Sequence, residues 1–228
     1  MGQEGWAEVE RYITGTLIRP DSVLDAALRS SARAGLPKIN VSPPEGMFLT
    51  LVARTMAARR ILEIGTLGGY STIWLARALP PRGTLTTLEI DAKHAMIAAA
   101  NIRRAGLSKV VEIREGPALE TLPKLEAEGK GPFDLFFIDA DKPSNPEYFA
   151  WALRLSRPGS VIIVDNVVRG GAVADSRSRD PNVGGVRRLN EMMAAEPRVM
   201  ATEIQTVGSK GYDGFAFAIV LAASKRKR

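Results

Sequence analysis

An α/β fold built on a doubly wound, mostly parallel seven-stranded sheet follows from three features of the sequence. Short β-rich runs recur at residues 60–64, 84–90, 110–114, 133–138 and 161–164, separated by stretches long enough for helices. Such alternation builds parallel strands with right-handed crossovers. Two further runs, 198–207 and 215–221, follow one another directly and predict an antiparallel C-terminal hairpin closing one sheet edge. Third, Gly65-Thr66-Leu67-Gly68-Gly69 joins the first strand to the first crossover helix, at the carboxyl edge where open α/β sheets hold ligands.

The elements can be justified in order. Three extra N-terminal helices are predicted at 5–15, 22–34 and 44–58, too little chain for a second domain, so they are expected to pack on the sheet or on another subunit. Crossover helices are predicted at 69–79, 92–105, 118–128 and 146–155. Asp91 suits the cap of the second, Gly106 its end, and Pro117 the opening of the third. Segment 168–185, with four glycines, two aspartates and three arginines, reads as a mobile surface loop, followed by a helix at 186–195. One domain is expected over residues 1–224, with helices in 1–58, the core in 59–224 and a basic tail at 225–228.

Composition narrows the setting. The 228 residues can bury one large core, and the absence of cysteine excludes disulfides and thiolate metal sites. No apolar stretch reaches membrane-span length and Met1-Gly2-Gln3-Glu4-Gly5-Trp6 lacks a secretory pattern, so a cytoplasmic protein is expected. The net charge of +6 comes from 31 basic and 25 acidic residues; four of the basic ones form the tail, without which the balance is 27 − 25 = +2. A solvated tail is the plain reading, with contact to RNA or a membrane surface as the rival.

The glycine turn carries a choice of ligand. Its Gly65-x-x-Gly68 spacing departs from the dinucleotide fingerprint G-x-G-x-x-G, and Glu63 sets an anion where a pyrophosphate would lie. Glu89, closing the second strand, suits a ribose diol. A ligand with ribose, positive charge and no phosphate satisfies both, and S-adenosylmethionine is one. Two later strand ends, Asp139-Ala140-Asp141-Lys142 and Asp165-Asn166, offer oxygen ligands from adjacent strands. Asp139, Asp165 and Asn166 suit a hard divalent cation, Mg²⁺ foremost, with Mn²⁺ or Ca²⁺ as alternatives.

Glu63-Ile64-Gly65-Thr66 with Gly69-Tyr70-Ser71, Glu89-Ile90-Asp91, Phe137 to Lys142, and Asp165-Asn166-Val167 together resemble the cation-dependent class I O-methyltransferases, which have a Rossmann-like core. That family includes catechol O-methyltransferase, plant caffeoyl-CoA O-methyltransferases and many bacterial relatives. The resemblance covers residues 36–221. It implies that Gly65 and Ser71 line the methionine end of the cofactor, with Glu63 near its ammonium and Val41 and Ser42 covering it. It further implies that Glu89 holds the ribose, that Gly116, Pro117 and Ala118 lie along the adenine, and that Asp141 approaches the cofactor. Asp139, Asp165 and Asn166 are implied metal ligands, and Lys142 the proton acceptor or a charged stabiliser of the phenolate.

The implied reaction is methyl transfer to one hydroxyl of a vicinal dihydroxy aromatic of catechol, caffeoyl or flavonoid type, in a homodimer. Competing readings are a tRNA hydroxyuridine methyltransferase of the same fold, an NAD-dependent oxidoreductase, disfavoured by Glu63 and the loop spacing, and a binding module without turnover. His94, the single histidine, is read as a helix-surface or cofactor-edge residue. Trp74 and Trp151 are read as core, and Trp6 as a contact to a second subunit. Few aromatics occur in the segments expected to meet the acceptor, so no stacking wall for its ring is identified.

Overall fold

The computed structural model describes residues 2–222. Its seven strands are β1 (Arg60–Ile64), β2 (Thr84–Glu89), β3 (Val111–Glu115), β4 (Leu135–Ile138), β5 (Val161–Asp165), β6 (Val199–Gly208) and β7 (Gly211–Val220). They lie in the order β3-β2-β1-β4-β5-β7-β6. The first five are parallel, and β7 runs antiparallel between β5 and β6. The strand order reverses between β1 and β4, which opens a crevice at their carboxyl ends.

Period-two alternation assigns each strand residue to a face. Leu62, Ile64, Phe136, Ile138, Ile162 and Val164 face one core layer, beneath α6 (Ala118–Ala127), α7 (Asn145–Arg154) and α8 (Pro181–Ala195). Ile61, Leu135, Phe137 and Ile163 face the other, with α2 (Ser22–Arg33), α3 (Pro43–Thr55), α4 (Tyr70–Ala78) and α5 (Ala92–Arg104). The same parity puts Glu63, Asp139 and Asp165 toward the second layer as their strands end. Trp74 is buried there, whereas Trp151 is half-buried and carries the Arg154 guanidinium 5.1 Å from its ring. Trp6 is half-buried on α1 (Gln3–Leu17).

Two expectations are corrected. Segment 168–185 is mostly ordered structure packed on the core: a 3-10 turn spans Arg169–Ala174, and α8 begins at Pro181. The Asp180 side chain caps that helix by accepting the Asn182 amide at 2.8 Å, and proline suits its first position. Gly184 and Gly185 lie inside the helix because a Cβ at Gly185 would meet the Lys142 carbonyl oxygen at 2.1 Å. Glycine here marks close packing, which local composition alone reads as a loop. Likewise β7 starts at Gly211, ahead of the expected 215, because its pairing with β6 extends to Gly208↔Gly211. The basic residues 225–228 lie outside the described residues. Among the described residues, no helix is long and apolar enough to cross a membrane.

Candidate active site

The site starts at the turn after β1. Gly65 takes a φ of 97°, and a Cβ there would meet the Asp139 carbonyl oxygen at 2.2 Å, so glycine is what lets the ends of β1 and β4 approach. Glu63, just before it, is fully buried. Its Oε1 accepts the Ser71 hydroxyl at 2.6 Å, and its Oε2 accepts Thr72 at 2.5 Å and Thr87 at 2.7 Å. Thr87 in turn lies 2.5 Å from the Thr66 hydroxyl. Glu63 is thus enclosed by a shell of hydroxyls, with half-buried Ser71 as its outer member.

Burial raises the Glu63 carboxyl to about 7 even though the three hydroxyls favour its ionised form. The unfolded carboxyl titrates near 4.5, so between about 4.5 and 7 the folded chain retains a proton that the unfolded chain releases. The stability this group contributes is complete below the unfolded value and declines as pH rises through the folded one. Glu63→Gln cannot ionise and is expected to flatten that decline in urea melts across this range. An unchanged slope would contradict the assignment.

Glu89 stands at the end of β2, also buried. Its Oε2 accepts the Thr66 amide at 3.1 Å and the Leu67 amide at 2.7 Å, while Oε1 accepts the Asp91 amide at 3.0 Å. This carboxylate thus fixes the glycine turn from the neighbouring strand. His94 Nδ1 lies 3.6 Å from Oε1, at the crevice edge and remote from Asp165 in the sheet order. Gly116, φ 125°, donates its amide to the Glu89 carbonyl at 2.8 Å, which brings Pro117 and Ala118 beside the same strand end. Ile90 and Leu119, 71% and 38% exposed, add apolar surface on either side. Neither was proposed as a site residue from sequence.

The second half of the site lies at β4 and β5. Ile138 pairs with Val164, so Asp139 and Asp165 leave the sheet side by side. Burial, reinforced by the charges of Asp139 and Glu45, raises the Asp165 carboxyl to about 8. Its Oδ1 accepts the Asn166 amide at 2.8 Å, and among the described residues no hydrogen bond reaches Oδ2. Asn166 adopts a φ of 58°, turning the chain out of β5. Asp213 of β7 braces the next turn by accepting the Val168 amide at 3.0 Å and the Arg169 amide at 2.9 Å. Lys142 is buried, and its Nζ donates to Asp139 Oδ1 at 2.9 Å. Asp141 is exposed and takes the Ser144 and Tyr148 hydroxyls, each at 2.5 Å. Burial raises its carboxyl, but those hydroxyls hold it below the usual value, and Asp141 thereby anchors the entry to α7.

A small apolar pocket borders Asp165, lined by Val41, Glu45, Phe48, Leu49, Phe137, Ile163 and Phe215. The Phe48 and Phe215 rings lie 4.8 Å apart at an interplanar angle of 37°. Sequence reading missed this aromatic wall because its two halves come from α3 and β7 and meet only in the fold. Val41 is buried in the segment before α3, next to Ser42, the helix cap. A wider concavity lined by Arg59, Arg60, Arg82 and Arg157 lies at the opposite sheet edge and contains none of these residues.

A mixed seven-stranded sheet of this order, open at the β1/β4 crevice and closed by a reversed hairpin, is the Rossmann-like methyltransferase architecture. The O-methyltransferase family model matches residues 18–215, and the chain belongs to that family. It is 55% identical over 220 residues to a catechol O-methyltransferase of Niastella koreensis, covering 96% of this chain and 100% of that one. The O-methyltransferase of Bacillus cereus, solved in complex with SAH, is 58% identical with a TM-score of 0.94, over 95% of this chain and 99% of that one. TomG of Streptomyces achromogenes, solved in complex with SAM, is 52% identical with a TM-score of 0.94, over 97% and 100%.

Proposed function

We propose that this O-methyltransferase moves the methyl group of S-adenosylmethionine to one hydroxyl of a vicinal dihydroxy aromatic, supported by a divalent cation at Asp139, Asp165 and Asn166. The observation that supports this reading is that Asp139 and Asp165 leave adjacent strands side by side, with Asn166 next in the chain and the buried Lys142 bonded to Asp139.

The donor set suits a hard cation. Asp165 is buried next to Asp139, and among the described residues its Oδ2 has no hydrogen-bond partner. Among the described residues no three histidine, cysteine, aspartate or glutamate side chains form a metal group. The proposed ligands here are two carboxylates and the Asn166 amide oxygen. Such a set leaves positions for water or a diol. When bound, the cation would lower the pKa of a coordinated phenol and fix its orientation.

The chain's own residues account for the remaining tasks. Glu89 fits the ribose, Ile90 and Leu119 the faces of a base, and Gly116, Pro117 and Ala118 its edge. Gly65 and Ser71 face the methionine end, with Glu63 behind Ser71 and Val41 closing over it. Phe48 and Phe215 support the acceptor ring and exclude water, while Lys142, beside Asp139, either accepts the phenol proton or, staying charged, stabilises the phenolate. Methyl transfer from labelled S-adenosylmethionine to a panel of catechols, with Mg²⁺ and then excess EDTA, tests this. Turnover abolished by EDTA and restored by Mg²⁺ is expected. EDTA-resistant turnover would remove the cation, and cofactor binding without turnover would remove the acceptor class.

A further inference from the structure

We propose that the concavity at the amino edge of the sheet is a binding site for a chain of two or three phosphoryl groups, free or carried by a nucleotide. Residues at the starts of four adjacent strands meet there: Arg82 before β2, Arg59 and Arg60 at β1, Asp134 before β4 and Arg157 before β5. The space they enclose is about 580 Å³, within the range of small-ligand sites. It lies at the opposite sheet edge from Glu63, Glu89 and Asp165, so it is separate from the methyl-transfer site and does not depend on that reading.

The one carboxylate in its lining is fully engaged by the protein. Asp134 is buried; its Oδ2 accepts the Arg59 amide at 2.7 Å and the Arg60 amide at 3.0 Å, and its Oδ1 takes the Arg157 guanidinium at 3.0 and 2.5 Å. Lys130, also in the lining, pairs with Glu112 at 3.0 Å. Among the described residues Arg59, Arg60 and Arg82 form no ion pair. Arg59 Nη2 donates to the Pro81 carbonyl at 3.4 Å and Arg60 Nη1 to the Gly131 carbonyl at 2.9 Å, which holds both side chains and leaves most donors of each fork free. Residues 1–224 carry a net charge of only +2, so three unpaired guanidinium groups in one concavity are a local concentration of charge and not a share of a basic surface.

Arg82 points to a ligand most directly. Pro80-Pro81-Arg82-Gly83 is a turn closed by the Gly83 amide donating to the Pro80 carbonyl at 2.9 Å, and Arg82, its third residue, has a φ of 67°. Left-handed backbone at that position ordinarily takes glycine or asparagine. The Arg82 side chain is exposed and, among the described residues, forms no hydrogen bond or ion pair, so no contact within the protein accounts for an arginine there. A bound anion would. Guanidinium forks take phosphoryl oxygens two at a time. Three forks spread over neighbouring strand starts match an anion whose charge runs along a chain, whereas a lone carboxylate would neutralise one of them. No aromatic side chain lines the concavity, so the phosphates and not a base are recognised.

The test is calorimetric titration of tripolyphosphate, ATP, AMP and single-stranded RNA into the full chain, saturated with S-adenosylhomocysteine and free of Mg²⁺. Tripolyphosphate and ATP are expected to bind with affinities within about threefold of each other, and AMP at least about tenfold more weakly. Arg82→Gly is the deciding variant. It relieves the left-handed backbone, so its Tm should match or exceed that of the wild type, while tripolyphosphate affinity should fall about tenfold. Arg59→Ser should bring a similar loss. Arg177→Ser, which removes an exposed arginine outside the concavity, should change affinity by less than about twofold, as should replacing Lys225, Arg226, Lys227 and Arg228 together by serine. Absence of tripolyphosphate binding, or equal losses in all variants, would overturn the proposal. ATP binding far more tightly than tripolyphosphate would overturn recognition through phosphate alone, and RNA doing so through the same arginines would reassign the surface to a nucleic acid.

Discussion

Asp165→Ala is expected to lower Mg²⁺-supported methyl transfer by about a thousandfold, the several kcal/mol that a Lewis acid supplies. The dissociation constant for S-adenosylmethionine should change by no more than about threefold, because most of the residues proposed to hold it lie at or just after the ends of β1, β2 and β3. The asymmetry follows from the sheet. Asp165 ends β5, on the far side of β4 from the cofactor crevice, and its freest oxygen is the one not bonded to the Asn166 amide. Asp165→Asn separates charge from shape, since it keeps the side chain's size and removes only its negative charge. Both variants should lose Mg²⁺ binding in calorimetric titrations. If turnover survives in both, Asp165 is not a ligand, and its burial needs another explanation.

Lys142→Met is the second large effect, an expected loss of about 10²–10⁴-fold in kcat, the range that general acid–base groups supply. Methionine approximates the length of the lysine stem, so most of the packing against α8 should survive. Cofactor affinity should again be nearly unchanged. The pH dependence of kcat then separates two roles. A proton-accepting Lys142 predicts that the acidic limb of the wild-type profile disappears in the variant. An ammonium that only stabilises phenolate predicts the same limb at a lower plateau. Unchanged kcat would reduce the 2.9 Å bond to Asp139 to a structural ion pair.

Much of this molecule was legible because the information was local. Alternating hydrophobic runs set seven strands and their crossovers, and the ends of those strands already brought Asp139, Asp165 and Asn166 to one sheet edge. The boundaries that moved did so for tertiary reasons. Residues 181–185 are helical since Asp180 caps them and Lys142 needs a neighbour without a side chain, a contact no window of sequence contains.

Glu63 shows the same division. Its acidic character and position before Gly65 exclude a pyrophosphate, and that inference requires only the order of residues. That its carboxylate is sealed behind Ser71, Thr72 and Thr87 depends on β1, β2 and α4 packing together.

The sequence by itself determined the sheet, the chemistry of the strand ends and the family, since each depends on residue type at short spacing. Only the tertiary structure decided which distant segments meet: Phe48 against Phe215, Lys210 beside Glu45, and α1 holding the hairpin turn. Those pairings join helices near the start of the chain to a hairpin near its end. Their partners are chosen by how the whole chain closes on itself, which no local period encodes.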